Sequence, residues 1–127
     1  MSLEKAPITV TLPAVNIARA KNFYSRKLGL RSVKSKEPNS ATFKTSNGTS
    51  IFLYKRSATR ADHTVASFYV KNILSEVNKL KANGVKFESY RMPNLKTDKN
   101  NIATGGPIKA AWFKDTEGNI LGLVNKR

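Results

Sequence analysis

Residues 41–53, ATFKTSNGTSIFL, and residues 111–123, AWFKDTEGNILGL, align without a gap at an offset of 70. Ala41/Ala111, Phe43/Phe113, Lys44/Lys114, Gly48/Gly118 and Leu53/Leu123 are identical pairs. Each segment reads as a strand, a turn about the glycine and a second strand, the pattern of a β-hairpin. A repeat of this size makes the chain two copies of one supersecondary unit. It restricts the fold to architectures built from a duplicated module. It also allows the copies to be superimposed, to ask which side chains share an environment.

The first copy opens with an alternating strand at 8–15. Asn16 follows as an N-cap, because its side chain can accept a bond from the free amides of the first helical turn. Ile17, Ala20, Phe23, Tyr24 and Leu28 then fall on one helical face, and Gly29 ends the helix. Strands are predicted at 30–36, 41–45 and 49–56. In the second copy a strand at 64–70 precedes the cap Asn72, the stripe Ile73, Val77, Leu80 and the stop Gly84. Strands at 85–90, 108–114 and 119–125 complete it. Both copies read β-α-β-β-β, an α+β chain of one domain, 1–127, with modules at 7–60 and 62–127. The caps are 56 residues apart and the hairpins 70, so the second copy is longer by 14. Most of that length lies in RMPNLKTDKNNIATGGP, residues 91–107, which reads as a long mobile loop covering a bound molecule. Tyr90 and Met92 are its candidate contacts; a tolerated surface insertion is the other reading.

Composition narrows the class. The 127 residues contain no apolar run near the length of a membrane span, and the opening MSLEKAPITV lacks a signal-peptide core. A cytoplasmic location is expected, and Met1, Ser2 and Leu3 are given no function. There is no cysteine, which excludes disulfides and thiolate metal sites. Lys and Arg number 23 against 8 Asp and Glu, a formal charge of +15. Such a field attracts anions and repels cationic ligands. The charges are scattered, as on a solvated surface, and the aromatics are not interleaved with them in a nucleic-acid pattern.

Side chains alternate across a strand. Ile8, Val10 and Leu12 form the set expected to pack on the first helix, with Thr9 and Thr11 opposite. Ala66, Phe68 and Val70 are the equivalent set in the second copy, with Val65, Ser67 and Tyr69 opposite. Ile51 and Leu53 match Leu121 and Leu123. That leaves Ser50, Phe52 and Tyr54, with Ile120, Gly122 and Val124, on the second face. Trp112 occupies the place of Thr42 and adds a ring in one copy only. Gly122, matched to Phe52, is expected to leave room. Apolar walls with a few polar handles suit a small-molecule pocket; a semi-polar interface between the halves is the alternative. His63, the only histidine, is a weak catalytic candidate beside Asp62. Asp62, Glu88, Asp98 and Tyr90 are available as acid–base partners, without a spacing that pairs them.

VTLPAVNIARAKNFYSRKLGL resembles the opening of a vicinal-oxygen-chelate module, and AAWFKDTEGNILGLV resembles its closing hairpin, F-x-D-P-x-G-N-x-x-E-L. This is the superfamily of glyoxalases, bleomycin-resistance proteins and extradiol dioxygenases. FESYRMPNLKTDKNNIATGGPIKAAWFKDTEGN is similar to a bacterial glyoxalase-like subgroup. The resemblance implies paired βαβββ modules, a sheet curled about a central cavity, and a homodimer. It also implies a divalent metal held by His or Gln on the first strand of a module and Glu on its last. Those places hold Thr9, Val65, Phe52 and Gly122, and no such set holds a divalent ion. The expectation is therefore no cofactor, and metal-independent binding of a small anionic or aromatic molecule, of the sequestering, resistance type. A glyoxalase-like lyase or isomerase is the principal alternative. A basic module associated with nucleic acid is the third reading.

Overall fold

The computed structural model describes residues 3–125; Met1, Ser2, Lys126 and Arg127 lie outside the described residues. The chain divides into two compact units, Met1–Thr59 and Arg60–Arg127. The first contains a 3₁₀ turn at Leu3–Lys5, then β1 (Thr9–Ala14), α1 (Ile17–Asn22), a π turn at Phe23–Lys27, β2 (Arg31–Ser32), β3 (Ser40–Lys44) and β4 (Ser50–Lys55). Its sheet has the order β1-β4-β3-β2, with β1 and β4 parallel and the other pairs antiparallel. The second contains β5 (Thr64–Tyr69), α2 (Ile73–Ala82), β6 (Arg91–Met92), β7 (Leu95–Lys96), β8 (Ala103–Gly105), β9 (Ile108–Lys114) and β10 (Ile120–Val124). Its main sheet repeats the topology as β5-β10-β9-β8. The α+β reading with two βαβββ modules therefore holds. Among the described residues no helix is long and apolar enough to cross a membrane.

Both helices start as the sequence predicts. Asn16 Oδ1 accepts the Arg19 N–H at 2.9 Å, and Asn72 Oδ1 accepts the Ser75 N–H at 3.0 Å. Each ends at a left-handed glycine, Gly29 at φ 74° and Gly84 at φ 92°, a conformation that costs a side-chain-bearing residue about 1 kcal/mol or more. In the first unit α1 passes into a π turn, where the Leu28 N–H reaches Phe23 O at 3.2 Å. The turn belongs to the segment that carries Tyr24. That ring is fully buried and stacks on Phe43 at 5.5 Å, with Phe23 edge-on at 5.6 Å. Leu12, Ala14, Ile51 and Leu53 complete this core. In the second unit Ile73, Val77, Ala111, Phe113, Leu121 and Leu123 are buried, and Phe87 meets Phe113 edge-on at 5.4 Å. Each of the larger apolar side chains contributes about 1.5–3 kcal/mol on burial.

Three strand expectations are corrected. Ile8 is not in the helix-facing row; it precedes β1 and is 70% exposed, and Ala14 takes its part in the row Val10, Leu12, Ala14. The strand expected at 30–36 shrinks to Arg31–Ser32, extended only by the Val33 N–H bonding Thr42 O at 2.8 Å. Beyond it, side chains take the backbone donors: Ser35 Oγ accepts Glu37 N–H at 3.1 Å and Glu37 Oε1 accepts Asn39 N–H at 3.0 Å. The strand expected at 85–90 is a single bridge, Phe87 to Phe113, followed by Glu88 N–H bonding Trp112 O at 2.8 Å.

The segment 91–107 is not a bare loop. It forms one short hairpin of β6 with β7, pairing Arg91 with Lys96 and Met92 with Leu95. It then supplies β8, the fourth strand of the main sheet, pairing Ala103 with Ala110. Between these, Asp98 Oδ1 accepts the N–H groups of Asn100 (2.8 Å) and Ile102 (3.0 Å), and Asn101 Nδ2 donates to Ser89 Oγ at 2.9 Å. The Asn101 bond, with Thr97 Oγ1 accepting the Tyr90 N–H at 2.9 Å, ties the insertion back onto the 88–90 segment.

Candidate ligand-binding faces

In the first unit, strand pairing sorts the second face into rows. Thr9 stands beside Ser50 in the parallel β1–β4 ladder, and their hydroxyls bond each other at 2.9 Å. Thr11, Phe52 and Thr42 form the next row, and Pro13, Tyr54 and Ser40 the one after. Phe52 and Tyr54 are half-buried, whereas Ile51 and Leu53 on the helix side are buried. The structure thus brings Thr9, Thr11, Ser50, Phe52 and Tyr54 onto one face, rings flanked by hydroxyls.

The second unit departs from simple alternation. Thr64 pairs with Ile120, but Ala66 pairs with Leu121, so Val65 is the extra residue of a β-bulge. After the bulge Ser67 stands beside Gly122 and Tyr69 beside Val124. A Cβ built on Gly122 would lie 2.8 Å from Ser67 Oγ, 3.5 Å from Thr64 Cγ2 and 3.5 Å from Trp112 Cδ1. Thr64 therefore stands where alternation places Val65. Gly122 does not leave room: the space of its missing side chain is taken by Ser67 and the indole across the ladder. Trp112 pairs with Gly122 and carries Tyr90 edge-on at 5.5 Å. Desolvation, and secondarily the charge of Glu88, hold the Tyr90 hydroxyl above the ordinary tyrosine pKa. Glu88 in turn faces Lys114, with Nζ to Oε1 at 3.5 Å. Thr64 was not legible as a site residue, because a bulge leaves no periodic signature.

His63 and Met92 stand outside these contact sets. The His63 side chain is 72% exposed, with Nδ1 3.2 Å from Asp62 Oδ1. That bond, with a backbone hydrogen bond at Asp62 as the next cause, holds the Asp62 carboxyl below its usual pKa. Met92 lies exposed in β6, Tyr69 is exposed in β5, and Ile120 is buried in β10.

The metal places implied by the family resemblance do not fit a divalent ion. Thr9 offers a hydroxyl already bonded to Ser50, Phe52 a ring, Gly122 nothing, and the bulge at Val65 brings only the Thr64 methyl toward Gly122. Among the described residues no three His, Cys, Asp or Glu side chains cluster as a metal site requires.

Similarity to known proteins agrees with this architecture. UcmS2, 20% identical, superposes with a TM-score of 0.72 over 93% of this chain and 96% of that one. TnmS3, an antibiotic binding protein from Streptomyces sp. CB03234, is 17% identical, with a TM-score of 0.65 over 94% and 93%. Lactoylglutathione lyase from Agrobacterium tumefaciens is 20% identical, with a TM-score of 0.64 over 95% and 93%. At such identities the likeness speaks for the fold alone. No curated protein matches the chain in sequence. The sequence profile of the Glyoxalase/Bleomycin resistance protein/Dioxygenase superfamily matches residues 8–123, nearly the whole chain. With two βαβββ units in the same strand order, the chain belongs to that superfamily.

Proposed function

We propose that this protein binds a small anionic or aromatic molecule without a metal, on the sheet faces opposite its helices, and acts by sequestering it. One observation carries the reading. Where the metal enzymes of the resemblance place ligands, this chain places a hydroxyl pair beside a phenyl ring, and a glycine packed against an indole. Rings supply apolar contact and hydroxyls supply orientation, which is what holding a small molecule requires and what ligating an ion does not. The fold does not choose between binder and enzyme, since it is shared by an antibiotic binding protein and a lyase.

A melting screen tests the proposal. Acidic and cationic aromatic compounds are compared, each with and without zinc, nickel or manganese. A ligand at about 100 times its Kd adds about 2.7 kcal/mol, a shift of several degrees. We expect acidic aromatics to raise Tm and metals to leave it unchanged. A saturable metal shift would transfer the chain to the lyase or isomerase reading. Salt-sensitive stabilisation by DNA, with none by small molecules, would transfer it to the nucleic-acid reading. We also propose a homodimer, to be checked by light scattering; a monomer at high concentration counts against it.

A further inference from the structure

Lys44 and Lys114 are the same residue in the two copies, but their surroundings differ. Lys44 pairs with Ser50 on one side and Arg31 on the other, and Ser50 pairs with Thr9. One transverse row, Arg31–Lys44–Ser50–Thr9, therefore crosses all four strands. Residues directly opposite in a ladder share a face. The Thr9–Ser50 hydroxyl bond fixes that face as the one opposite α1, since Phe43 and Ile51, the adjacent residues, are buried on the helix side. In the second unit the row is Lys114–Ile120–Thr64, and Glu88 sits 3.5 Å from the ammonium. The copy there is neutralised by a carboxylate and flanked by an aliphatic side chain.

The first unit does the reverse. It sets two cations side by side, an arrangement that costs stability when nothing neutralises it. Its only acidic residues in the sequence are Glu4 and Glu37, and Glu37 Oε1 accepts the Asn39 N–H. Next to the cations lie two mutually bonded hydroxyls, one of which keeps its hydrogen free to donate. A guanidinium fork, an ammonium and a hydroxyl donor in one line are the groups that recognise a carboxylate or phosphate. We propose that Arg31, Lys44, Ser50 and Thr9 form an oxyanion-binding site on the first sheet. This names the ligand class for that face and so rests on the small-molecule reading above. Phe52 lies two residues along β4 from Ser50, about 6–7 Å away, the reach of an aromatic acid.

Amide NMR on the isotope-labelled full chain tests the site, with inorganic phosphate, phenyl phosphate, benzoate and benzyl alcohol as probes. Phosphate or phenyl phosphate should shift the amides of Arg31, Lys44, Ser50 and Thr9 saturably. Lys44→Gln should weaken this binding by about tenfold or more, as loss of a charged hydrogen bond does, and Ser50→Ala by less. Lys114→Gln, which removes an exposed ion pair, should change it by no more than about twofold. Benzoate binding as tightly as phenyl phosphate marks a carboxylate ligand; benzoate binding more weakly marks a phosphate. The proposal is overturned if no oxyanion shifts the row saturably, or if Lys114→Gln weakens binding as much as Lys44→Gln. The two readings fail separately. Benzyl alcohol shifting Phe52 and Thr11 while no oxyanion reaches the row removes the anion site and keeps the small-molecule face. Phosphate on the row with no aromatic probe at Phe52 keeps the anion site and removes the aromatic part of the small-molecule reading.

Discussion

The hairpins of the two units share a backbone and differ in where they put polar groups. The Thr45 N–H bonds Thr49 O at 3.1 Å, and the Asp115 N–H bonds Asn119 O at 3.0 Å. In the first turn the partners are hydroxyls at the surface: Thr45 and Thr49 bond each other, and Thr49 Oγ1 donates to Ser46 O at 2.6 Å. In the second turn Asp115 and Asn119 are buried. Asp115 Oδ1 accepts the N–H groups of Glu117 (2.8 Å) and Asn119 (2.9 Å), and Oδ2 accepts Asn119 Nδ2 at 2.8 Å. The sheets divide the same way. Ala41/Ala111, Phe43/Phe113 and Leu53/Leu123 are retained and buried on the helix side. On the other face Phe52 opposite Thr42 has become Gly122 opposite Trp112, so the ring has moved one strand sideways. Of the identical strand pairs, three pack on a helix, and Lys44/Lys114 is kept on the other face in different surroundings.

The largest test of that contrast is at the turns. Asp115→Ala removes the acceptor of three buried hydrogen bonds and should cost about 3 kcal/mol or more. Thr45→Ala, at the matching place, should cost less than about 1 kcal/mol. Urea denaturation of both variants measures the difference. Equal losses would mean that the two turns contribute alike, and that burial of the second carries no stability.

Next is the exchanged ring. Gly122→Phe alone drives a side chain into Ser67 and Trp112, and should cost about 2–3 kcal/mol by overpacking. Adding Trp112→Thr rebuilds the first unit's pattern in the second, and should recover at least about 1 kcal/mol of it. A double variant no more stable than the single one would show that the ring is not interchangeable between strands.

Much of this fold was legible because it is written in local chemistry. Asn16, Asn72, Gly29 and Gly84 bound their helices by side-chain capping and left-handed backbone, and the repeat fixes both hairpins. The bulge at Val65 was not legible, since one extra residue alters register without altering composition. Nor was the filling of Gly122, which depends on which residue lies across the ladder. The strand at 30–36 failed because Ser35 and Glu37 compete for backbone donors that periodicity assigns to a sheet. Of the candidate site, the alternating Thr9, Thr11, Ser50, Phe52 and Tyr54 were readable. Lys44 was visible as a repeated residue, but its face required the register through Ser50.

The copies should also agree where their chemistry agrees. Asn16→Ala and Asn72→Ala each remove one bond to a helix amide of nearly equal length, 2.9 and 3.0 Å. Each should cost about 1 kcal/mol in thermal or urea unfolding. A twofold difference between them would show that one helix is held mainly by its packing and the other by its cap.

The smallest effect separates the rings by pH. Tyr90 lies against Trp112, and desolvation raises its pKa, with the Glu88 charge adding a lesser push. The folded pKa is above the unfolded value of about 10. The neutral phenol is therefore favoured in the native state. Its contribution is complete below the unfolded pKa and is lost as pH rises through the folded one. Stability should fall more steeply on the alkaline side in the parent than in Tyr90→Phe, which has no phenol to ionise. Glu88→Gln should bring the tyrosinate midpoint partway back, because it removes the lesser cause and leaves desolvation. Absorbance titration of tyrosinate, run alongside urea unfolding across the same range, reads both. A full return of the midpoint in Glu88→Gln would mean that charge governs this ring, and that its seat on Trp112 is more open to water than the contact geometry indicates.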